Sequence, residues 1–262
     1  MPFYKKFAEF EFSMKQSNLK QFNSIDNLEV IISVDAPQES ELLHDFLTEL
    51  AQKNLMKFSL KVFVNELDHP WRCPSAAINV GIRHAKYEKI LVISPETIPL
   101  PNSIPMLANA VGEQAFALGI IKHDTADKIA AIGPEEAFIQ KKTPMLPYGS
   151  ICFTKKQAQA IGGYDESFME WGGDDDDFRA RLMSKGFSRK QTLAKFLHSK
   201  FPERTLNRAE NTKQLKRQKK VLEKIDLIKN KNQEVANNGQ FGLSFDKLLF
   251  DFVYHHSESE VV

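Results

Sequence analysis

EVIISVDAPQESELLHDFLTEL, residues 29–50, begins the most diagnostic part of the chain. It joins a short apolar run rich in β-branched residues, typical of a buried strand, to a segment with leucine and phenylalanine at helical spacing. The strand pattern returns at SLKVFV (59–64) and KILVI (89–93), with a second helical pattern over residues 75–86 between them. This alternation predicts an α/β fold whose mainly parallel sheet is flanked by helices.

Parallel sheets bind ligands beyond the carboxyl ends of their strands. The candidate binding residues are therefore those that directly follow the three strands, namely Asp35, residues 65–68 and residues 94–97. Farther along the chain, the apolar patterns of Ala115–Ile121 and Lys128–Ile132 predict further strands.

Length and composition fit one large domain. The chain has 262 residues, of which 42% are hydrophobic, and this is enough to bury a substantial core. We expect an N-terminal arm at 1–27, the main domain at 28–205 and a C-terminal helical extension at 206–262. The net charge of +1 provides no field that would attract nucleic acid.

The two cysteines, Cys73 and Cys152, are too few for a disulfide framework. Reduced thiols in a cytosolic compartment are the simpler interpretation, and one disulfide is the alternative. No apolar run reaches the roughly 18 residues of a membrane-spanning helix, and residues 1–20 lack the apolar core of a secretory signal. We therefore expect a cytoplasmic protein.

The segment GGYDESFMEWGGDDDDF at residues 162–178 contains four consecutive carboxylates, Asp174–Asp177, before a helix-like run. Adjacent acids repel one another, but at the start of a helix they are stabilised by the helix dipole. One of them can act as a base or accept hydrogen bonds from sugar hydroxyls, and Asp177 is predicted to cap or support the helix. The alternative is an acidic helix N-terminus exposed on the surface.

This segment resembles the acceptor-side motif of GT-A glycosyltransferases, in particular the galactosyltransferase-like branch with its WGGEDDD pattern. The resemblance covers residues 28–202. It implies the GT-A fold and transfer of a hexose or N-acetylhexosamine from a nucleotide-diphosphate sugar, with uridine the favoured nucleotide, to a glycan hydroxyl. It also implies inversion at the anomeric carbon, and synthesis of capsule, lipopolysaccharide or another surface polysaccharide as the context. The lack of an apolar anchor segment points to a bacterial enzyme.

The resemblance also assigns roles around the acidic cluster. Asp175 takes the position of the general base, and Asp174 takes the position of the acid that binds acceptor hydroxyls. Trp171 would form an apolar platform for one face of a sugar. Gly172 and Gly173 would allow the backbone to approach the acceptor closely.

The metal site is where the chain departs from the family. GT-A enzymes generally carry Asp-x-Asp after the third strand, whereas this chain has Ser94-Pro95-Glu96-Thr97. Glu96 matches the second acid, which binds Mn²⁺ or Mg²⁺ in the family, and Ser94 would bond ribose or water. His198 matches a metal-binding histidine of related enzymes. The alternatives are an exposed glutamate in a turn and a structural histidine.

Further donor contacts are implied by the segment from Arg72 to Gly81, which resembles a family helix beside the donor nucleotide. Asn79 would bond the donor or the turn after the third strand. Arg72 would pair with a phosphate through its planar guanidinium, or else be a solvated loop charge. Asp35 lies where the base or ribose is usually bound.

Other hypotheses remain open. A retaining transferase is the rival within the class, and a non-catalytic glycan- or nucleotide-binding module is the rival outside it. The missing Asp-x-Asp favours the module, whereas the intact acidic cluster favours the enzyme. The basic face of Lys213–Lys224 is either solvated or contacts anionic membrane lipid, which would suit a lipid-linked glycan acceptor.

Overall fold

The computed structural model describes residues 1–35, 37–67, 73–141, 150–168, 172–201, 223 and 235–255. Within these ranges no helix is long and apolar enough to cross a membrane. The described strands, in chain order, are β1 (Pro2–Phe3), β2 (Glu29–Val34), β3 (Ser59–Val64), β4 (Lys89–Val92), β5 (Thr97–Pro99), β6 (Ala115–Thr125), β7 (Ile151–Thr154), β8 (Ser188–Lys200) and β9 (Lys247–Phe252).

Helices connect and cover these strands. They are α1 (Phe7–Ser13), α2 (Leu19–Asn23), α3 (Ser40–Gln52), α4 (Pro74–His84), α5 (Ser103–Ala110), α6 (Ala126–Ile132), α7 (Pro134–Gln140), α8 (Lys155–Ala160) and α9 (Asp174–Ser184). A π-helical turn, Met14–Asn18, joins α1 to α2.

The first sheet has the order β1-β2-β3-β9. Its first three strands are parallel, and β9 is antiparallel to β3. The predicted strands 29–34 and 59–64 are thus confirmed and paired in register. Apart from the half-buried Ile31, their apolar residues are buried. They share core clusters with residues of the second sheet and of α4.

The second sheet has the order β4-β7-β6-β8-β5, and of its described pairs only β6 with β8 is parallel. The α/β class is confirmed, but parallel pairing is less extensive than expected. Pro2 and Phe3 pair with Ser33 and Val34 along one edge of β2. This is the edge to which β4 would have to bond in order to extend the first sheet. A cavity of about 470 Å³ with a mainly apolar lining lies between β2 and β4.

The N-terminal arm packs into the main hydrophobic core. Phe3, Phe10, Met14 and Phe22 are all at most 2% exposed and contact the cluster around β2 and β3. The predicted boundary near residue 27 stays a prediction. The predicted C-terminal helical extension is at least partly a strand, because β9 completes the edge of the first sheet.

The prediction of a strand at Lys128–Ile132 is wrong, because these residues belong to α6. The side chain of Thr125 accepts a hydrogen bond from the backbone N–H of Lys128 and so starts a helix directly after β6. The apolar residues of this segment also fit helical spacing, so a short run of this kind is ambiguous.

Candidate active site

The four aspartates form the first turn of α9, as their position before a helix-like run predicts. Gly172 and Gly173 precede them with φ of 101° and 90°, values that side chains with a β-carbon rarely adopt. The four aspartates therefore lie at the helix N-terminus, whose partial positive charge stabilises their negative charges. Trp171 lies outside the described residues.

Asp177 anchors this helix. It is fully buried, and its Oδ2 accepts hydrogen bonds from Arg181 Nε at 2.9 Å and Nη2 at 2.7 Å. Arg181 also donates through Nη1 to the carbonyls of Ile161 and Gly163, at 2.7 and 2.8 Å. The predicted supporting role of Asp177 is therefore carried out with Arg181, a residue that the i, i+4 spacing could have indicated.

The preceding aspartates face outward. Asp174 is half-buried and Asp175 is exposed, while Asp176 pairs with Arg179 one turn later. The carboxylate predicted as the general base is therefore accessible to a ligand from solvent, and the backbone of the same turn is held by the buried Asp177.

Tyr164 lies beneath this turn. Its ring is fully buried and stacks on Phe178 with centroids 4.0 Å apart. Burial raises the pKa of Tyr164 well above its ordinary value, and the charges of Asp175 and Asp174 raise it further. The phenol therefore stays protonated beside both carboxylates, and its hydroxyl has no hydrogen-bond partner within the described ranges.

Asn79 is fully buried and hydrogen-bonds a loop before α9. Its Oδ1 accepts from the Tyr164 N–H at 2.8 Å, and its Nδ2 donates to the Tyr164 carbonyl at 2.7 Å and to Glu166 Oε1 at 2.9 Å. Asn79 therefore positions this loop, which we call the Gly162 turn (residues 161–166), and its predicted contact with the nucleotide-sugar donor stays a prediction.

The described C-terminal loop, residues 235–245, holds the opposite side of the Gly162 turn. Asn237 donates through Nδ2 to the carbonyls of Gly162 and Tyr164, at 2.8 and 2.7 Å, and accepts from the Glu166 N–H at 3.1 Å. The Gly242 N–H donates to Glu166 Oε1 at 2.9 Å. Reasoning from the sequence missed Asn237, because nothing in its local pattern indicates a partner about seventy residues away.

Asp35 follows β2, where the sequence predicts a donor contact, but it is 3% exposed. Its Oδ2 accepts from the backbone N–H of Cys73 at 2.8 Å, which fixes the start of α4. Arg72, the other predicted phosphate contact, lies outside the described residues. So does Lys213–Lys224, apart from Glu223, and its membrane role stays a prediction.

Glu96 and His198 lie together, as a shared site requires. Glu96 Oε1 is 3.2 Å from His198 Nε2 and 3.0 Å from the ammonium of Lys6. His198 Nδ1 is 3.0 Å from His123 Nδ1, because β6 and β8 pair these histidines in register. Ser94 bonds Thr97 through their hydroxyls at 2.8 Å.

The charge states in this cluster follow from its packing. Burial opposes ionisation of Glu96, but the hydrogen bond and charge of His198, with Lys6, hold the pKa of Glu96 well below its usual range. Burial lowers the pKa of His123 to about 4, helped by the charges of His198 and Lys200. Near neutral pH, Glu96 is therefore ionised and His123 is uncharged.

As arranged, Glu96 and His198 do not fit a divalent metal. Both imidazole nitrogens of His198 are engaged, one by Glu96 and one by His123, so neither nitrogen is available to coordinate an ion. A cation, Lys6, already contacts Glu96. Glu96 Oε2 is buried without a hydrogen-bond partner, but no described group of three His, Cys, Asp or Glu could hold a metal.

The N-terminal arm supports the loop that carries Glu96. Ser13 donates through its hydroxyl to the Pro95 carbonyl at 2.7 Å, and Asn18 donates to the Thr97 carbonyl at 2.9 Å. Reasoning from the sequence missed Lys6 because it lies ninety residues from Glu96 in a segment expected only to pack on the main domain.

Residues 136–214 match a family model described as the N-terminal domain of galactosyltransferase. No curated protein sequence is significantly similar to the chain. Among solved structures, GalNAc-T7 with UDP, GalNAc and Mn²⁺ is 14% identical over 72% of this chain and 40% of that one, with a TM-score of 0.51. The catalytic domain of Drosophila β1,4-galactosyltransferase 7 with xylobiose is 16% identical over 70% and 72% of the two chains, with a TM-score of 0.41.

These findings define the class of fold: the chain has the GT-A fold, and residues 136–214 resemble a galactosyltransferase domain. More narrowly, the galactosyltransferase match covers α9 and β8, and so it includes the aspartate turn and His198. At 14% identity the likeness to GalNAc-T7 concerns the fold alone, and the chain spans two-fifths of that protein.

Proposed function

We propose that the protein transfers a hexose or N-acetylhexosamine from a nucleotide-diphosphate sugar, with UDP the favoured nucleotide, to a hydroxyl of a glycan. Asp175 is the general base that deprotonates this hydroxyl, and the transfer proceeds in a single displacement with inversion at the anomeric carbon. Such a displacement needs a base and no enzymatic nucleophile.

The observation that carries the proposal is the division of the four aspartates. Asp177 is buried against Arg181 and holds the helix, while Asp175 is exposed at the N-terminus of α9. Acids placed only for stability would need no such open carboxylate beside two glycines of positive φ. Asp174, Gly172, Gly173 and Trp171 bind the acceptor in this proposal.

The donor half lies at the carboxyl ends of β2 and β4, next to Asp35, Ser94 and Glu96. This assignment is supported by the general location of ligands in α/β sheets. Because Glu96 and His198 do not fit a metal as arranged, no step of the proposed mechanism passes through one. Departure of the nucleoside diphosphate instead depends on positive groups of the protein, and transfer depends on holding both sugars in line.

The test is the D175N variant. We expect the turnover number for transfer from UDP-sugars to fall by about 10²–10⁴-fold, the typical contribution of a general base, with acceptor binding retained. D127N is the matched control, since Asp127 is an exposed acid in the first turn of another helix, α6.

Unchanged turnover in D175N would contradict Asp175 as the base. If no transfer occurs with the wild type while glycan or nucleotide still binds, the alternative of a non-catalytic binding module is favoured. The anomeric configuration of the product, read by NMR, separates inversion from the retaining rival.

A further inference from the structure

We propose that the ammonium of Lys6, held by Glu96, is the cation that binds the diphosphate of the donor, and that donor binding needs no divalent metal. This inference rests on the proposed function, because it completes the donor half of the same site.

Lys6 lies at the correct edge of the fold. It follows β1, which runs parallel to β2, and the Asp35 N–H donates to the Phe3 carbonyl at 2.8 Å. Lys6 thus leaves the sheet at the carboxyl ends of its parallel strands, where α/β proteins bind ligands. Its contact with Glu96 brings the loop after β4 to the same place.

The hydrogen-bonding capacity of Lys6 leaves room for a ligand. An ammonium group has three N–H donors. Two are directed at Glu96 Oε1, at 3.0 Å, and Glu9 Oε1, at 3.2 Å. No acceptor for the third is found within the described part of the chain, and the side chain is 20% exposed. A phosphate oxygen is a strong acceptor for such a donor.

The local charges favour a protein cation over a metal. The contact between Lys6 and Glu96 pairs one positive with one negative charge, so a divalent ion at Glu96 would have to displace the ammonium or lie against it.

Hydrogen bonds hold the arm that carries Lys6 against the Glu96 loop. Ser13 donates to the Pro95 carbonyl and Asn18 donates to the Thr97 carbonyl, on either side of Glu96. A cation fixed in this way loses little conformational entropy on binding a ligand, unlike a lysine on an open surface.

The experiment is calorimetric titration of UDP and of uridine into the whole chain, in EDTA and in Mn²⁺. We expect the wild type in EDTA to bind UDP about 10–100-fold more tightly than uridine, as expected for hydrogen bonds to a charged group. K6A should lose most of this preference while its uridine affinity is unchanged, and K6R should retain most of it. K15A is the control, because Lys15 belongs to the same arm but is 63% exposed.

Three results would overturn the inference. If UDP binds only with Mn²⁺, or if K6A keeps the full preference for UDP over uridine, the inference fails and the proposed donor site stands. If neither ligand binds in either condition, the proposed function fails with it. The comparison of EDTA with Mn²⁺ uses only the wild type, so it decides whether UDP binding needs a metal even if K6A does not fold.

Discussion

At the scale of single residues, the four adjacent aspartates differ because their surroundings differ. A buried carboxylate needs a partner and hydrogen bonds, and Asp177 has both from Arg181. Asp175, in contrast, is exposed to solvent at the start of the helix. Position in the helical turn, and not residue type, separates the supporting residue from the candidate base.

Replacing Asp177 with Asn removes the counter-charge of a buried guanidinium. We expect D177N to lower the free energy of unfolding by about 3–5 kcal/mol, the typical effect of breaking a buried ion pair, as measured by urea denaturation. In D176N the lost pair joins Arg179, 8% exposed, to Asp176, which is 48% exposed and solvent-screened, so a change of about 0–1 kcal/mol is expected. Equal losses in the two variants would contradict the assigned roles.

At the scale of elements, the Gly162 turn joins three parts of the chain that are distant in sequence. Asn79 of α4 binds one side, Asn237 of the C-terminal loop binds the other, and Arg181 of α9 binds its carbonyls. A β-carbon on Gly162 would lie 2.1 Å from the Ala236 carbonyl oxygen, so the close approach requires glycine there. The turn thus connects the C-terminal loop, through Arg181 and Asp177, to the helix that carries the aspartates.

The N237G variant tests this connection. It removes three hydrogen bonds, while glycine tolerates the φ of 52° found at this residue. We expect a loss of about 1–3 kcal/mol in the free energy of unfolding, since buried carbonyls lose their donor, and a lower kcat for transfer. N238G is the matched control, with a φ of 51° at an exposed residue. The same losses in N238G would indicate a backbone effect instead.

At the scale of the whole molecule, the N-terminal arm is built into the fold. It occupies the edge of β2, contributes four large apolar side chains to the core and presents Lys6 to Glu96. The core and the proposed donor site therefore depend on the same segment. Both cysteines are buried, in different parts of the molecule, as free thiols.

Thiol reactivity reports on this burial. Burial raises the pKa of Cys73 to about 11 and that of Cys152 to about 12. Because the thiolate is the reactive form, we expect both to react with Ellman's reagent at pH 8 at least about 100-fold more slowly than an ordinary thiol. Both should react readily in urea. Q240C adds a thiol at an exposed position as the control, and rapid labelling of the folded wild type would contradict the packing described here.

Local patterns were sufficient for the class of fold and for the aspartate turn. Strand and helix periodicity in residues 29–93 depends on neighbours in sequence, and so it predicted β2, β3 and β4 correctly. The acidic run before α9 was recognisable for the same reason, since helix starts are encoded within a few residues. The expectation that Glu96 and His198 share a site came from a family resemblance, and the two side chains are in contact.

Pairings between distant segments were decided only by the tertiary structure. The place of β1 on the edge of β2, the contact of Lys6 with Glu96 and the hydrogen bonds of Asn79 and Asn237 all join segments far apart in the chain. Such contacts leave no periodic signal, because they depend on which surfaces meet after the core is buried. The same reason explains why Glu96 contacts both His198 and Lys6, although no pattern in the sequence indicated the contact with Lys6.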